Sequence, residues 1–261
     1  MIDFHSHILP GIDDGAKTVE ESISMLKSSY EKGVRITVLT PHFYPKGQES
    51  LPPFIQKRQE AYELLKSACE GETDIPEIRL GCEVNVATEV FEYDGIEKLC
   101  IEGTDYILLE IPHDEEWNEE LCDRIYNVKL KGLKPIVAHI DRYLPIPKRA
   151  LKDLAEVGAL YQVNADAFMH FGIKKEVAKL FEQGFVHILG SDMHNLESRP
   201  NNMDRAMEEL KAHFSAEHIR YLKENAEAVI NNKKAHLRWH MYLPPVRTWD
   251  LIFSKKTNKK G

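Results

Sequence analysis

The chain has 261 residues, 43% apolar and 29% charged, with a formal net charge of −8. That length fits one core of α/β-barrel size, and the acidic balance excludes a general nucleic-acid binder, whose affinity rests on neutralising phosphates. No apolar run reaches the roughly 18 residues of a membrane-spanning helix. Met1 is followed by no basic and apolar leader pattern, and Cys69, Cys82, Cys100 and Cys122 show neither Cys-x-x-Cys spacing nor disulfide-like density, so a reducing cytoplasm is the expected compartment.

The chain opens on a short apolar strand that runs into His5-Ser6-His7, with Asp13 and Asp14 close behind. Alternating side chains put His5 and His7 on one face, where they can grip one ion. A lone His-x-His reads equally well as two surface histidines, so partners elsewhere decide. Thr18-Val19-Glu20-Glu21 is a capping box, and Val19, Ile23, Leu26 and Tyr30 follow at helical spacing until Lys32-Gly33. The β-branched run Val34 to Thr40 predicts a strand ending at Pro41-His42. A helix over 54–70 and a strand over 77–84 follow, the strand delivering Glu83. Strands over 105–111 and 134–139, separated by a helix over 118–131, end near Glu110 and His139. A helix over 148–157, a strand over 159–164, a helix over 174–183 and a strand over 185–190 lead into Ser191-Asp192-Met193-His194.

These seven strands with helices between most of them predict parallel βα units closed into a barrel; an open doubly wound sheet is the second reading. The barrel is favoured because His5, His7, His42, Glu83, Glu110, His139, Asp192 and His194 all fall at or just past strand carboxyl ends, which a closed ring brings to one mouth. With Asp14 the set could serve three divalent ions if one carboxylate bridges. Its charge would then be about +2, matched to a phosphate monoester dianion, and a water on such ions becomes an attacking hydroxide near neutral pH. Arg142 and Arg199 each follow a proposed ligand by a few residues and suit bidentate phosphate contact, with a surface salt bridge as the bland reading of either alone.

His5-Ser6-His7, Asp13-Asp14-Gly15, Thr40-Pro41-His42, Gly81-Cys82-Glu83, Leu109-Glu110, Val137 to Arg142 and Ser191 to Asn195 together resemble the polymerase and histidinol phosphatase (PHP) superfamily. More narrowly they resemble its bacterial manganese-dependent protein-tyrosine phosphatases of capsule and exopolysaccharide operons. The resemblance spans residues 1–232 and implies a distorted (β/α)7 barrel with its active site at the C-terminal strand ends. It implies three ions, most readily Mn, with Fe, Zn or Co accepted by the same donors. One would be held by His5, His7, Glu83 and Asp192, a second by Glu83, Glu110 and His139, and a third by Asp14, His42 and His194. Arg142 and Arg199 would act as catalytic and substrate-binding groups on phosphate. The implied substrate is phosphotyrosine on a bacterial tyrosine kinase tail. Histidinol phosphate or another small phosphomonoester is the alternative, and a non-catalytic module of the polymerase branch the reading from another class. Members often carry a basic or histidine-rich stretch after the residue matching His42, where this chain has Phe43-Tyr44-Pro45-Lys46; either aromatic could face a phosphotyrosine ring or pack the barrel rim.

His113 and Asp141 are further candidates, His113 for the leaving group or substrate and Asp141 for orienting Arg142 or a ligand. His187, inside an apolar strand, reads as a core histidine; His170, His213, His218, His236 and His240 have no partner pattern. A thiolate phosphatase needs Arg six residues after Cys, and those positions hold Ile75, Thr88, Tyr106 and Val128. Residues 233–261 form a separate basic tail, with Lys233, Lys234, Arg238, Arg247, Lys255, Lys256, Lys259 and Lys260 against Asp250. It reads as a solvated tail or as a weak attraction to anionic lipid or an acidic partner.

Overall fold

The computed structural model describes residues 1–86, 90–112, 115, 117–169 and 171–237; His113, His170, His240 and the tail beyond 237 lie outside them. In chain order the elements are β1 (Ile2–Ser6), α1 (Val19–Glu31), β2 (Ile36–Leu39), β3 (His42–Phe43), α2 (Leu51–Ala68), β4 (Glu77–Leu80), β5 (Glu83–Asn85), β6 (Tyr106–Glu110), α3 (Glu119–Leu130), β7 (Lys134–Val137), α4 (Lys148–Val157), β8 (Leu160–Asn164), α5 (Phe171–Glu182), β9 (Ile188–Gly190), α6 (Met203–His213) and α7 (Ala216–Ile230). Thr18 caps α1 by accepting the Glu21 N–H, and the Glu21 carboxylate reaches back one residue beyond the N-cap of a standard capping box, to the Lys17 N–H. α2 starts three residues earlier than its periodicity suggests, because Pro52 and Pro53 fit a first helical turn whose N–H groups need no partner. Helices α6 and α7 went unread in the sequence, although Met203, Ala206, Met207 and Leu210 form the buried stripe of α6.

All strand pairings are parallel. Two of the expected strands are each broken once: Thr40-Pro41 separates β2 from β3, and Gly81-Cys82 separates β4 from β5. Pro41 has no N–H for a ladder, and a Cβ on Gly81 would stand 2.9 Å from Val38 Cγ1, so both lines kink there. Buried Arg58 of α2 donates to the Gly81 carbonyl at the second kink and to the Lys98 carbonyl beside it. The ring closes where Asp192 N–H donates to the His5 carbonyl and His7 N–H to the Met193 carbonyl, returning the last strand to the first. The result is the distorted (β/α)7 barrel.

The barrel floor is apolar, built from Phe4, Val38, Leu108, Ile136, Leu160 and Ile188, with α7 residues Val229 and Ile230 beneath. Moving up the same inward face, at alternate positions, Leu108 is followed by Glu110, Leu160 by Gln162 and Asn164, and Ile188 by Gly190 and Asp192. Polar groups therefore converge only at the carboxyl-terminal mouth. At the opposite end residues 233–237 are tied down: the Ala235 N–H donates to the Tyr106 hydroxyl, which donates to the Lys233 carbonyl. No described helix is long and apolar enough to cross a membrane.

His187 is the core histidine its strand implied: it is buried, and its Nδ1 accepts the Tyr161 N–H at 2.9 Å. Burial pushes its pKa down from 6.5 to about 3. The unfolded chain thus takes up a proton below pH 6.5 that the native ring refuses, and stability falls as pH drops from 6.5 toward 3. His187→Asn keeps an acceptor for Tyr161 and removes this uptake. In urea titrations the stability lost between pH 7 and pH 5 is expected to be about 2 kcal/mol larger for the wild-type chain than for this variant; equal losses would contradict a neutral native ring.

Candidate metal centre at the barrel mouth

Glu83, at the start of β5, stands at the centre. It is buried, yet His5 Nε2 lies 3.0 Å and His7 Nε2 3.3 Å from its Oε2, His42 Nδ1 lies 3.0 Å from the same oxygen, and His139 Nε2 lies 2.7 Å from Oε1. Asp192 adjoins this group, its Oδ1 3.4 Å from His7 Nε2 and 3.7 Å from His5 Nε2. Glu110 is 3.8 Å from His42 and 4.0 Å from His139. Exposed Asp14 closes the other side, its Oδ1 3.3 Å from His194 Nε2 and 3.6 Å from His42 Nε2. All nine sequence-derived ligand candidates thus meet at one place. The geometry gathers seven of them into groups of converging donor atoms, His5, His7 and Glu83; His42, Glu83 and Glu110; and His7, Asp14, His42 and His194; His139 and Asp192, which the resemblance also implied as ligands, adjoin these groups through Glu83 and His7 without belonging to one. His42 reaches two of these groups, whereas the resemblance implied it for one.

Hydrogen bonds behind the rings decide which nitrogen faces inward. Gln162 Oε1 accepts the His139 backbone N–H at 2.7 Å and lies 3.1 Å from His5 Nδ1, so His5 carries its proton on Nδ1. His7 Nδ1 faces Asp13 Oδ2 at 2.7 Å, and His194 Nδ1 faces the Asp192 carbonyl at 2.9 Å. Each acceptor holds the Nδ1 proton, so that Nε2 is the nitrogen facing the cluster and, in the neutral ring, the one with the lone pair. His5 and His7 bring these lone pairs to 3.1 Å of one another, and buried His194 Nε2 has no hydrogen-bond partner. Converging lone pairs of imidazole and carboxylate are what a borderline divalent cation neutralises, so the donor set fits such ions.

The electrostatics agree. Burial alone would lower the pKa of His5 and His7, but Glu83 and Asp192 beside His5, and Asp13, Asp192 and Glu83 beside His7, reverse this and raise both. Burial would raise Glu83 and Asp192; the charge on His5 and the bonds from the rings hold both well below their ordinary range. Burial and the neighbouring His7 push His194 down to about 4. A cation bound by the first two rings must displace protons, so its affinity weakens as pH falls. In calorimetric titration with Mn²⁺ the apparent dissociation constant is expected to rise at least tenfold from pH 7 to pH 6; a pH-independent value would contradict this ring chemistry.

The two arginines meet on Asp192. Arg142 Nη2 pairs with its Oδ2, which also accepts from Asn164 Nδ2 at 2.8 Å, and Arg199 Nη2 lies 2.9 Å from its Oδ1. Asp141 does not hold Arg142: its buried carboxylate accepts the Asn164 N–H, so it acts on Asp192 through Asn164. Sequence reasoning missed Gln162 and Asn164, although two polar residues at alternate positions of an apolar strand were a readable signal. Asp3 was missed likewise; it is buried two residues before His5 and accepts from the His5 and Ser191 N–H groups. His213 pairs with Glu209 and His218 with Ser215, both away from the mouth.

Backbone geometry also marks the site. His139 and Asp192 have φ of 29° and 53°, left-handed values that cost a non-glycine residue about 1–3 kcal/mol. Gly190 lies so close behind His5 that a Cβ would stand 2.5 Å from the His5 Cβ and 2.8 Å from Gln162 Nε2. Gly190→Ala is therefore expected to displace His5 and its Gln162 anchor and weaken Mn²⁺ binding at least tenfold by calorimetry, with far-UV dichroism retained; unchanged affinity would show that the ring's placement is not critical.

The family described as capsular polysaccharide synthesis, CpsB/CapC, matches residues 1–231. The tyrosine-protein phosphatase CpsB of Streptococcus agalactiae is 32% identical over 244 residues, covering 89% of this chain and 99% of that protein. The tyrosine-protein phosphatase YwqE of Bacillus subtilis is 33% identical over 243 residues, covering 89% and 92%. Among solved structures, one from work on YwqE of Bacillus subtilis and CpsB of Streptococcus pneumoniae, described as metal-dependent tyrosine phosphatases, superposes with a TM-score of 0.78 at 28% identity over 90% of this chain and 96% of that one. A histidinol phosphate phosphatase from Lactococcus lactis shares the fold alone, with a TM-score of 0.50 at 14% identity over 82% of this chain and 94% of that one. The chain belongs to the CpsB/CapC family of capsular polysaccharide synthesis.

Proposed function

We propose that this chain is a metal-dependent protein-tyrosine phosphatase. The observation that carries the reading is the pair of guanidinium groups on the two oxygens of Asp192, at the edge of a buried cluster of imidazoles and carboxylates. Arginine forks beside donors suited to divalent cations match a phosphoryl group, whose oxygens take bidentate hydrogen bonds and whose charge grows in the transition state. The names of the relatives and the similarity to metal-dependent tyrosine phosphatases support it.

In this reading three ions, Mn in the first instance, are held by His5, His7, Glu83 and Asp192, by Glu83, Glu110 and His139, and by Asp14, His42 and His194, with His42 within reach of the second group. Such ions supply Lewis acidity toward phosphoryl oxygens and lower the pKa of an attacking water. The chain's own residues do the rest. Gln162, Asp13 and the Asp192 carbonyl keep protons on Nδ1 of His5, His7 and His194, so that Nε2 stays available. Arg142 and Arg199 bind and orient the phosphoryl oxygens, and Asp192 keeps both forks aimed at one space. No thiol takes part: burial raises the pKa of Cys82, and its S–H donates to the Pro41 carbonyl. A phenol leaving group, with a pKa near 10, needs less protonation than an alkoxide.

The substrate that follows is a phosphotyrosine on a flexible tail, in a bacterial tyrosine kinase tied to capsule synthesis. Residues 1–232 form the cytoplasmic catalytic body and 233–261 a basic tail with a weak attraction for anionic surfaces. Purified protein stripped with a chelator is expected to lose hydrolysis of a phosphotyrosine peptide and to regain it with Mn²⁺, and Arg142→Ala and Arg199→Ala each to lower kcat/KM by about 10²–10³. Turnover of histidinol phosphate without turnover of the peptide would overturn the assignment.

A further inference from the structure

β3 is only two residues long, yet its alternation sorts two adjacent aromatics. Phe43 turns into the core and packs on Phe54 at 4.8 Å between centroids. Tyr44 emerges at the mouth beside His42, and the rings stack at 5.1 Å with 25° between planes. Half of Tyr44 (52%) remains exposed. A singly exposed tyrosine is ordinary on a protein surface. This one has one face stacked on His42 of the cluster, and so is oriented at the mouth without being buried.

The arginines reach the cluster through Asp192, and Tyr44 reaches it through His42. His7 lies between, its ring 4.4 Å from that of His42 and its Nε2 3.4 Å from Asp192 Oδ1. The mouth therefore has a cationic side and an aromatic side. An aryl phosphate has the matching halves, a dianion and a flat apolar ring, and a ring already held in place gains contact without paying to be ordered.

We propose that the exposed part of Tyr44 receives the aryl ring of the substrate and makes this residue a determinant of aryl over alkyl phosphate monoesters; the inference rests on the phosphatase reading above. An alkyl ester presents no ring, and leaves that surface in water.

The test measures KM for a phosphotyrosine peptide with Mn²⁺-loaded protein, and competitive inhibition by phenylphosphonate and methylphosphonate. Tyr44→Ala is expected to raise KM and to reduce the preference for the phenyl over the methyl inhibitor about five- to tenfold. Tyr44→Phe, which keeps the ring and drops the hydroxyl, is expected to retain that preference. An unchanged preference in Tyr44→Ala would overturn the proposal, as would an equal fall in Tyr44→Phe, which assigns the effect to the hydroxyl and not to the ring. Loss of bound Mn²⁺ from Tyr44→Ala would overturn it too, by showing that the ring serves to hold His42. Wild-type protein that takes histidinol phosphate and no phosphotyrosine peptide marks failure of the phosphatase reading instead.

Discussion

The site depends on a single constraint: the inner nitrogens of His5, His7 and His194 must all be bare while the rings are buried side by side. A buried polar atom without a partner is costly: His194 Nε2 has none, and the inner nitrogens of His5 and His7 crowd each other beside Glu83, an arrangement that a bound cation relieves. The protein fixes this by placing an acceptor behind each ring: an amide oxygen for His5, a carboxylate for His7 and a main-chain carbonyl for His194. None of these acceptors can donate a proton back, so in each neutral ring the proton sits on Nδ1 and Nε2 is the nitrogen left for a cation.

Much of the surrounding structure serves that arrangement. The close approach of Gly190 lets Gln162 and His5 meet, and Gly15 makes an equally close approach behind His7. The left-handed backbone at His139 and Asp192 turns two chain segments inward just past their strands, and the ladder between the last strand and the first holds the Asp192 segment there. Strain of this kind persists where neighbouring structure over-determines it. Asp192 links the two halves of the chemistry. Its carboxylate lies beside the histidines on one side and anchors both arginines on the other, so the cation-binding and phosphate-binding parts share one rigid group.

The kinks at Thr40-Pro41 and Gly81-Cys82 have a related role. Each strand line bends just before it delivers a cluster residue, His42 in one and Glu83 in the other, and buried Arg58 satisfies a carbonyl left at the second bend. The pairing of His42 with Glu83 across β3 and β5 then follows from register. Because β3 carries His42 and Tyr44 follows directly after it, the same short segment serves the buried cluster and the mouth.

By itself the sequence determined the alternation of strands and helices, the closure of seven strand lines, and the residue types at their carboxyl ends, because burial periodicity and capping are local properties. His5, Glu83, His139 and Asp192 were legible for that reason, and so was the place of His187 in the core. Only the tertiary structure decided that His42 reaches two groups of donors, that Asp141 works through Asn164, that Tyr44 faces the mouth while Phe43 fills the core, and that Gln162 sets the tautomer of a histidine 157 residues away. These depend on which strand ends become neighbours around a closed ring and how far each is staggered. A period of two fixes the face on which a side chain lies, and leaves open what stands opposite it.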